Sequence, residues 1–279
     1  MSVDGEDLLD LAVLAAREAA ALIRRERPAG RVESSGSKSS ATDNVTEIDV
    51  ASERLVRSTL SAARPGDGFL GEEGNTEPSS SGITWVVDPI DGTTNFIYGI
   101  PAYAVSIAAV TAAAPGDEED ASHPAVAGVV LDVVSGEEFT AVRGRGAWLR
   151  PGPEASARGL RLGASGPLSQ ALVATGFGYE AQRRAVQGAA VARLLPQVRD
   201  IRRIGSAALD LCAVAAGRVD AYVEQGLKPW DRAAGALIAA EAGAAVTGMD
   251  GGAPDERLVV ACSPQLHPQL LAVVDDCGF

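Results

Sequence analysis

The sequence predicts an α/β fold of the α+β kind, built from stacked layers of helix and sheet in a single unit spanning residues 1–279. Three observations lead there. Two long stretches with helical periodicity open the chain, followed by short apolar strands with turn signals between them, a pattern of helices packed on an antiparallel sheet. The second half alternates strand and helix, which requires a second sheet covered by helices. No internal repeat, coiled-coil pattern or long linker divides the chain. Residues 1–150 therefore form a helix pair plus antiparallel sheet, and residues 151–279 a second α/β half.

Taken in order, residues 6–26 place Leu8, Leu11, Ala12, Ala15, Ala19 and Leu22 on one face, an amphipathic helix that Pro28 stops. "VESSGSKSSATDN" (32–44) is Gly/Ser-rich and predicts a mobile loop. A second helix starts near Thr46 and runs to about Ala62. "GFLGEEG" (68–74) predicts a short strand entering a glycine-bounded acidic turn. In "WVVDPIDGTTNF" (85–96), Trp85, Val86 and Val87 predict the end of a buried strand, Asp88 to Gly92 a tight turn, and Thr93-Thr94 a helix start. "AYAVSIAAVTA" (102–112) and "AVAGVVLDVV" (125–134) predict strands joined by an acidic loop, and "EEFTAVRGRGAWLR" continues as a hairpin. In the second half, "QALVATGF", "VRDIRRI", "VDAYVE", "AAVTG" and "RLVVACS" predict strands. Helices are predicted over 182–195, 206–216, 231–242 and 264–275.

Composition narrows the function. An apolar fraction of 46% and a charged fraction of 22% are ordinary for a globular protein. A formal charge of −13 argues against a nucleic-acid binder, which would show a basic face. An acidic protein acting on anions must obtain positive charge locally, and bound metal is one source. Cys212, Cys262 and Cys277 lack metal-ligand or CxxC spacing and are expected as unpaired thiols in a reducing cytoplasm. The acidic opening "MSVDGEDLLD" predicts no secretory signal, and no apolar run reaches the ~18 residues of a membrane span. Only Lys38 and Lys228 are lysines among 24 Lys and Arg; with the abundance of Ala and Gly, this points to a GC-rich bacterial genome.

Candidate chemistry begins with the two aspartates of "WVVDPIDGTTNF", which put two negative charges together at a strand end. Glu72-Glu73 sit between Gly71 and Gly74 at another strand end, and Asp231 follows Trp230 in the first turn of a helix. Singly, Asp231 reads as a helix cap and Glu72 as a solvated turn residue. As a set, oxygen-only ligands from short turns suit Mg²⁺, which takes a few carboxylates and keeps waters for a substrate phosphate. Ile90 could add its carbonyl, and Gly92 and Thr93 offer backbone N–H groups to an anion.

The segments "GEEG", "WVVDPIDGTTNF" and "GSAALDLCAVAAGRVDAYVEQGLKPWDRAAGALIAAEAG" resemble the three signatures of the inositol monophosphatase family, over about residues 8 to 275, and most closely its bacterial members. The resemblance implies an alternating αβαβα sandwich of the inositol monophosphatase/fructose bisphosphatase type, working as a single catalytic unit. It also implies a Mg²⁺-dependent, lithium-sensitive phosphatase, commonly homodimeric, with two to three ions per site. Glu72, Asp88 and the Ile90 carbonyl match the first metal site; Asp88, Asp91 and Asp231 match the second, and Glu72 with waters a third. Gly92 and Thr93 match the phosphate cradle, and Asp49 matches the residue that acts with the Thr93 hydroxyl on the attacking water. Gly205, Ser206, Ala207 and Glu224, with Asp91 and Asp231, match substrate-lining positions, and Lys38 matches a basic residue of a mobile loop over the metals. The implied reaction is direct attack of a metal-activated water on the phosphorus of inositol-1-phosphate, with no phospho-enzyme.

Simpler roles stand beside these. Asp49 lies three residues after Thr46 and fits the acidic member of a capping box. Lys38 fits a solvated lysine, and Glu224 an exposed strand residue. His123 and His267 are expected at the surface, away from the motif. A haloacid-dehalogenase-type mechanism would need an aspartate two residues before Asp91, where Pro89 stands. Within the family, "GLKP" also suits a histidinol-phosphate phosphatase, while Trp230 and "AAGRVDAY" lean toward inositol phosphate. NADP or 3′-phosphonucleotide phosphatases, a fructose bisphosphatase and a non-enzymatic regulatory protein that contacts the transcription machinery complete the alternatives. "PGPEASARG" (151–159) departs from the family pattern and predicts an extended surface hairpin loop. The expected partners are a small phosphomonoester and a second copy of the chain, with no nucleic acid or membrane.

Overall fold

A computed structural model describes residues 4–28, 30–32, 36–37, 44–74, 76–111 and 125–279. The helix α1 (Gly5–Glu26) carries an Asp4 cap whose side chain accepts from the Glu6 N–H, with acidic residues in its first turn and arginines in its last, as the helix dipole favours. It buries Leu8, Ala12, Ala15, Ala19 and Ile23, while Leu11 and Leu22 sit half-buried at the margin of that stripe. The short strands β1 (Gly36–Ser37) and β2 (Asn44–Val45) pair antiparallel across the Gly/Ser-rich segment. Helix α2 (Glu47–Ala63) then packs beside α1.

Seven strands build the larger sheet, in the order β3 (Gly68–Gly71), β4 (Ile83–Asp91), β5 (Ala104–Thr111), β6 (Ala125–Asp132), β7 (Glu138–Val142), β8 (Ala147–Arg150) and β9 (Arg158–Leu160). The short helix α3 (Thr93–Tyr98) follows β4. Two expectations need correction. The sheet is antiparallel except for β3 and β4, which run parallel, because the segment between them crosses back instead of turning tightly. Residues 88–91 are the end of β4 and not a tight turn. Asp91 still pairs with Ala104, and a bulge between Asp88 and Asp91 absorbs Pro89, which has no N–H to give the ladder. The segment after β8 forms a hairpin as expected and returns as β9.

The second half supplies β10 (Leu172–Thr175), α4 (Ala181–Leu194), β11 (Asp200–Arg202), α5 (Ala207–Ala215), β12 (Ala221–Glu224), α6 (Pro229–Glu241), β13 (Ala245–Thr247), β14 (Val259–Cys262) and α7 (His267–Cys277). Its five strands lie in the order β11-β10-β12-β14-β13, with β10 parallel to both neighbours and β14 antiparallel to both of its own.

Four apolar cores separate five layers, so the stack reads α, β, α, β, α. The first core joins α1 and α2 to one face of the large sheet through Ile23, Leu60, Trp85, Val87 and Val105. Period-two alternation sends Val86 and Ala108 to the opposite face, where Ala208, Cys212, Ala234 and Ile238 of α5 and α6 cover them. Leu211, Val214, Tyr222 and Val259 join α5 to the small sheet, and α4 and α7 seal its outer face through Leu194, Val223 and Leu270. The three cysteines are buried and unpaired. His267, expected at the surface, is half-buried at the start of α7, where its Nε2 lies 2.7 Å from the Thr247 hydroxyl. His123 lies outside the described residues. No described helix is long and apolar enough to cross a membrane.

Candidate metal centre

The end of β4 delivers Asp88 and Asp91, and the other carboxylates are brought to it by three different elements. Parallel pairing sets Gly71 beside Val87, so the chain leaving β3 places Glu72 next to Asp88, with the Glu72 N–H donating to the Val87 carbonyl at 3.2 Å. The Gly71–Gly74 turn wraps the Glu53 side chain of α2, whose carboxylate accepts from the Glu73 N–H at 2.7 Å. A Cβ on either Gly71 or Gly74 would collide with that carboxylate, which explains the glycines that bound the turn. Asp231 enters from the first turn of α6 and Glu224 from the end of β12. Glu72, Asp88, Asp91, Glu224 and Asp231 line one cavity of about 410 Å³, together with Ile90, Gly92, Thr93, Gly205, Ser206 and Ala207.

Carboxylate oxygens of Asp88, Asp91 and Asp231 lie within 4.8 Å of one another. Each acid is fixed through one oxygen, which orients the other. Asp88 Oδ1 accepts from the Ile90 N–H at 3.0 Å, and Asp231 Oδ2 from the Lys228 N–H at 2.6 Å. Asp91 Oδ2 accepts from the Ser206 hydroxyl at 2.5 Å and from the Ala208 N–H at 2.7 Å. Asp231 thus does serve as a cap of α6, and still faces the cavity. Among the described residues, no Arg or Lys side chain forms an ion pair with Asp88, Asp91 or Asp231.

That crowding is costly. Burial, then repulsion from Glu72, Asp91 and Asp231, pushes Asp88 well above the usual carboxylate range. Burial and the charges of Glu72 and Asp91 do the same to Asp231. Asp91 rises only to about 6, because its bonds to Ser206 and Ala208 offset part of the burial. The donor set fits a hard divalent cation: it consists of carboxylate oxygens from a strand end, a turn and a helix start, and among the described residues no His or Cys lines the cavity. A dication would offset both the burial and the mutual repulsion that raise these carboxylates.

Asp49 and Thr93 meet beside the cluster. Asp49 is fully buried; it closes a capping box with Thr46 at the start of α2, and its other oxygen accepts from the Thr93 hydroxyl at 3.2 Å. The capping role and the pairing with Thr93 therefore coexist. The Thr93 hydroxyl has a second acceptor, the Ile90 carbonyl, at 3.0 Å. Gly92 precedes it with φ 99, a left-handed conformation that leaves α3 starting at Thr93, and a Cβ there would press on the Ala102 and Gly205 carbonyls.

Glu224 is half-buried, with the Tyr222 hydroxyl donating to it at 2.6 Å, and burial raises its acid to about 7 against that bond. Ser206 lines the cavity as expected, but its hydroxyl is directed at Asp91. Lys38 lies outside the described residues. The sequence alone did not reveal the parts played by Ser206, Tyr222 and Glu53, which position Asp91, Glu224 and the Glu72 turn. Nor did it reveal Arg183 and Arg203 in the cavity wall. Arg203 could have been suspected from "VRDIRRI", which leads straight into the matched "GSAALD" segment.

Residues 4–278 match the inositol monophosphatase family. The chain is 47% identical over 292 residues to the inositol-1-monophosphatase of Mycobacterium leprae, covering 97% of this chain and 94% of that one. It is 40% identical over 273 residues to a protein of Escherichia coli named Nus factor SuhB, covering 96% of each. Among solved structures, Mycobacterium tuberculosis SuhB superposes with a TM-score of 0.79 at 45% identity, covering 98% of both chains.

Proposed function

The chain belongs to the inositol monophosphatase family, and on that premise we propose that it hydrolyses inositol-1-phosphate to inositol and phosphate with Mg²⁺ as its cofactor. It is a phosphoric monoester hydrolase. The observation that carries the reading is the gathering of Asp88, Asp91 and Asp231 within 4.8 Å, with no Arg or Lys ion pair to any of them among the described residues, in a cavity that also holds Gly92 and Thr93.

Glu72, Asp88, Asp91, Asp231 and the Ile90 carbonyl would hold two to three Mg²⁺ ions. When bound, the metal supplies Lewis-acid polarisation of the phosphoryl oxygens and a more acidic water. The backbone N–H groups of Gly92 and Thr93 fix the phosphate. Thr93 orients the attacking water and takes its proton at Oγ1 while passing its own to Asp49 Oδ1, for which the 3.2 Å separation is suited. Thr46 holds Asp49 from behind through its hydroxyl and N–H, so Asp49 keeps one lobe aimed at Thr93. Glu224, Gly205 and Ala207 receive the hydroxyl-bearing ring. The buried thiols support a cytoplasmic protein, and the family resemblance supports a homodimer sensitive to lithium.

The test is a panel of phosphomonoesters ranked by kcat/KM with purified protein and Mg²⁺. Inositol-1-phosphate should lead, with lithium inhibiting; a lead by histidinol phosphate or a 3′-phosphonucleotide would overturn the assignment. The relative named a Nus factor favours one further reading, a regulatory contact alongside catalysis.

A further inference from the structure

Away from the catalytic cavity, a hollow of about 250 Å³ opens between α1, the β6–β7 turn and the hairpin that follows β8. Arg17 and Arg24 reach it from the same face of α1, since seven residues make close to two helical turns. Arg150 reaches it from the end of β8, where β8 pairs with the start of β7 at Glu138. At its floor, the Glu138 carboxylate is only 5% exposed. It accepts from Arg17 Nε at 2.7 Å, Arg17 Nη2 at 2.9 Å and Arg150 Nε at 3.3 Å. Arg24 stands apart from Glu138 and donates Nη1 to the Val133 carbonyl at 3.0 Å.

Among the residues that line the hollow, one carboxylate faces three guanidinium groups, in a chain whose formal charge is −13. A purely structural staple of α1 to the sheet accounts for Arg17 and Arg150. Arg24 adds a tie to the neutral Val133 carbonyl, which holds its side chain in place but gives its charge no carboxylate partner among the described residues. The chain after β8, the segment departing from the family pattern, folds back so that Pro153 walls the hollow, and Arg150 Nη1 donates to the Ala155 carbonyl at 3.2 Å. The hairpin thus encloses the arginines without filling the space between them. We propose that Arg17, Arg24 and Arg150, walled by the 151–157 hairpin, form a second anion site that takes a small tetrahedral dianion of the sulfate or inorganic phosphate class. Guanidinium groups keep their charge at every working pH and present forked N–H donors that match oxyanions. The site shares no lining residue with the catalytic cavity, so it stands independently of the catalytic assignment.

The probe is sulfate, titrated calorimetrically into the full chain without divalent cation, comparing wild type with Arg24→Gln and Arg203→Gln. Arg24 is exposed and does not touch Glu138, so Arg24→Gln should keep the wild-type Tm and kcat/KM while weakening sulfate about tenfold or more. Arg203→Gln, in the catalytic cavity, should leave this affinity in place. Crystals grown with selenate should show its anomalous signal among Arg17, Arg24 and Arg150. Equal sulfate affinity in wild type and Arg24→Gln, or a selenate signal in the catalytic cavity alone, would overturn the site.

Discussion

Asp91 concentrates the electrostatic conflict of the centre, because it must be charged to bind metal and is held at about 6 without it. A free aspartate titrates near 3.9, so between those values the folded chain binds more protons than the unfolded one. Metal-free protein should therefore have Asp91's full contribution below pH ~4 and lose it as pH rises through about 6, a loss of about 3 kcal/mol by pH ~8 at 1.36 kcal/mol per unit. Asp91→Asn keeps an oxygen to accept from Ser206 and Ala208 but cannot ionise. In chelator at pH ~8, the variant should be at least as stable as wild type in urea unfolding. In excess Mg²⁺ the order should reverse, because binding stabilises only the chain that binds. Its kcat should fall about a hundredfold or more, given that even outer partners of a metal site cost 10- to 100-fold. A variant that lost stability equally with and without metal would show that Asp91 acts as a scaffold residue alone.

Among the elements, α6 is the most constrained, since it carries Asp231 while packed between α5 and the large sheet. Gly128 of β6 makes that approach possible: a Cβ there would lie 3.1 Å from Ala234 Cα. Gly128→Val should cost about 1–3 kcal/mol through overpacking. By shifting α6 it should also raise the Mg²⁺ concentration for half-maximal activity; a stability loss with unchanged Mg²⁺ dependence would separate the two. How far such elements are legible in the sequence follows from the same packing. Helices such as α1 and α2 announce themselves because one stripe is buried and the period shows. The end of β4 does not, because Asp88, Pro89 and Asp91 are turn formers and only the sheet beside them keeps Asp91 extended. Strand direction is equally silent: the apolar runs of β3 and β4 look alike whether parallel or not. The four acids could be read because Asp88 and Asp91 stand three residues apart in one segment and all four fall in segments that resemble the family's signatures, whereas the hydroxyls of Ser206 and Tyr222 sit within ordinary helix and strand patterns.

At the scale of the molecule, the metal centre and the middle layer make the same demand. Glu72, Asp88 and Asp91 come from the first half of the chain and Asp231 from the second, so a cation bound there ties the halves together. Helices α5 and α6 belong to the second half, yet they bury Val86, Ala108 and Val130 on the inner face of the first half's sheet. Without that layer the large sheet would expose one whole apolar face, so residues 1–150 are not expected to fold alone. Urea unfolding of the intact chain should then be one transition, with tryptophan fluorescence, sensing Trp85 and Trp148 in the first half and Trp230 in the second, coinciding with far-UV circular dichroism of both halves. Mg²⁺ should move both signals together to higher urea without splitting them. Two resolved steps, or a Mg²⁺ shift confined to one probe, would mean that the halves are separate folding units and that the centre forms only when they dock.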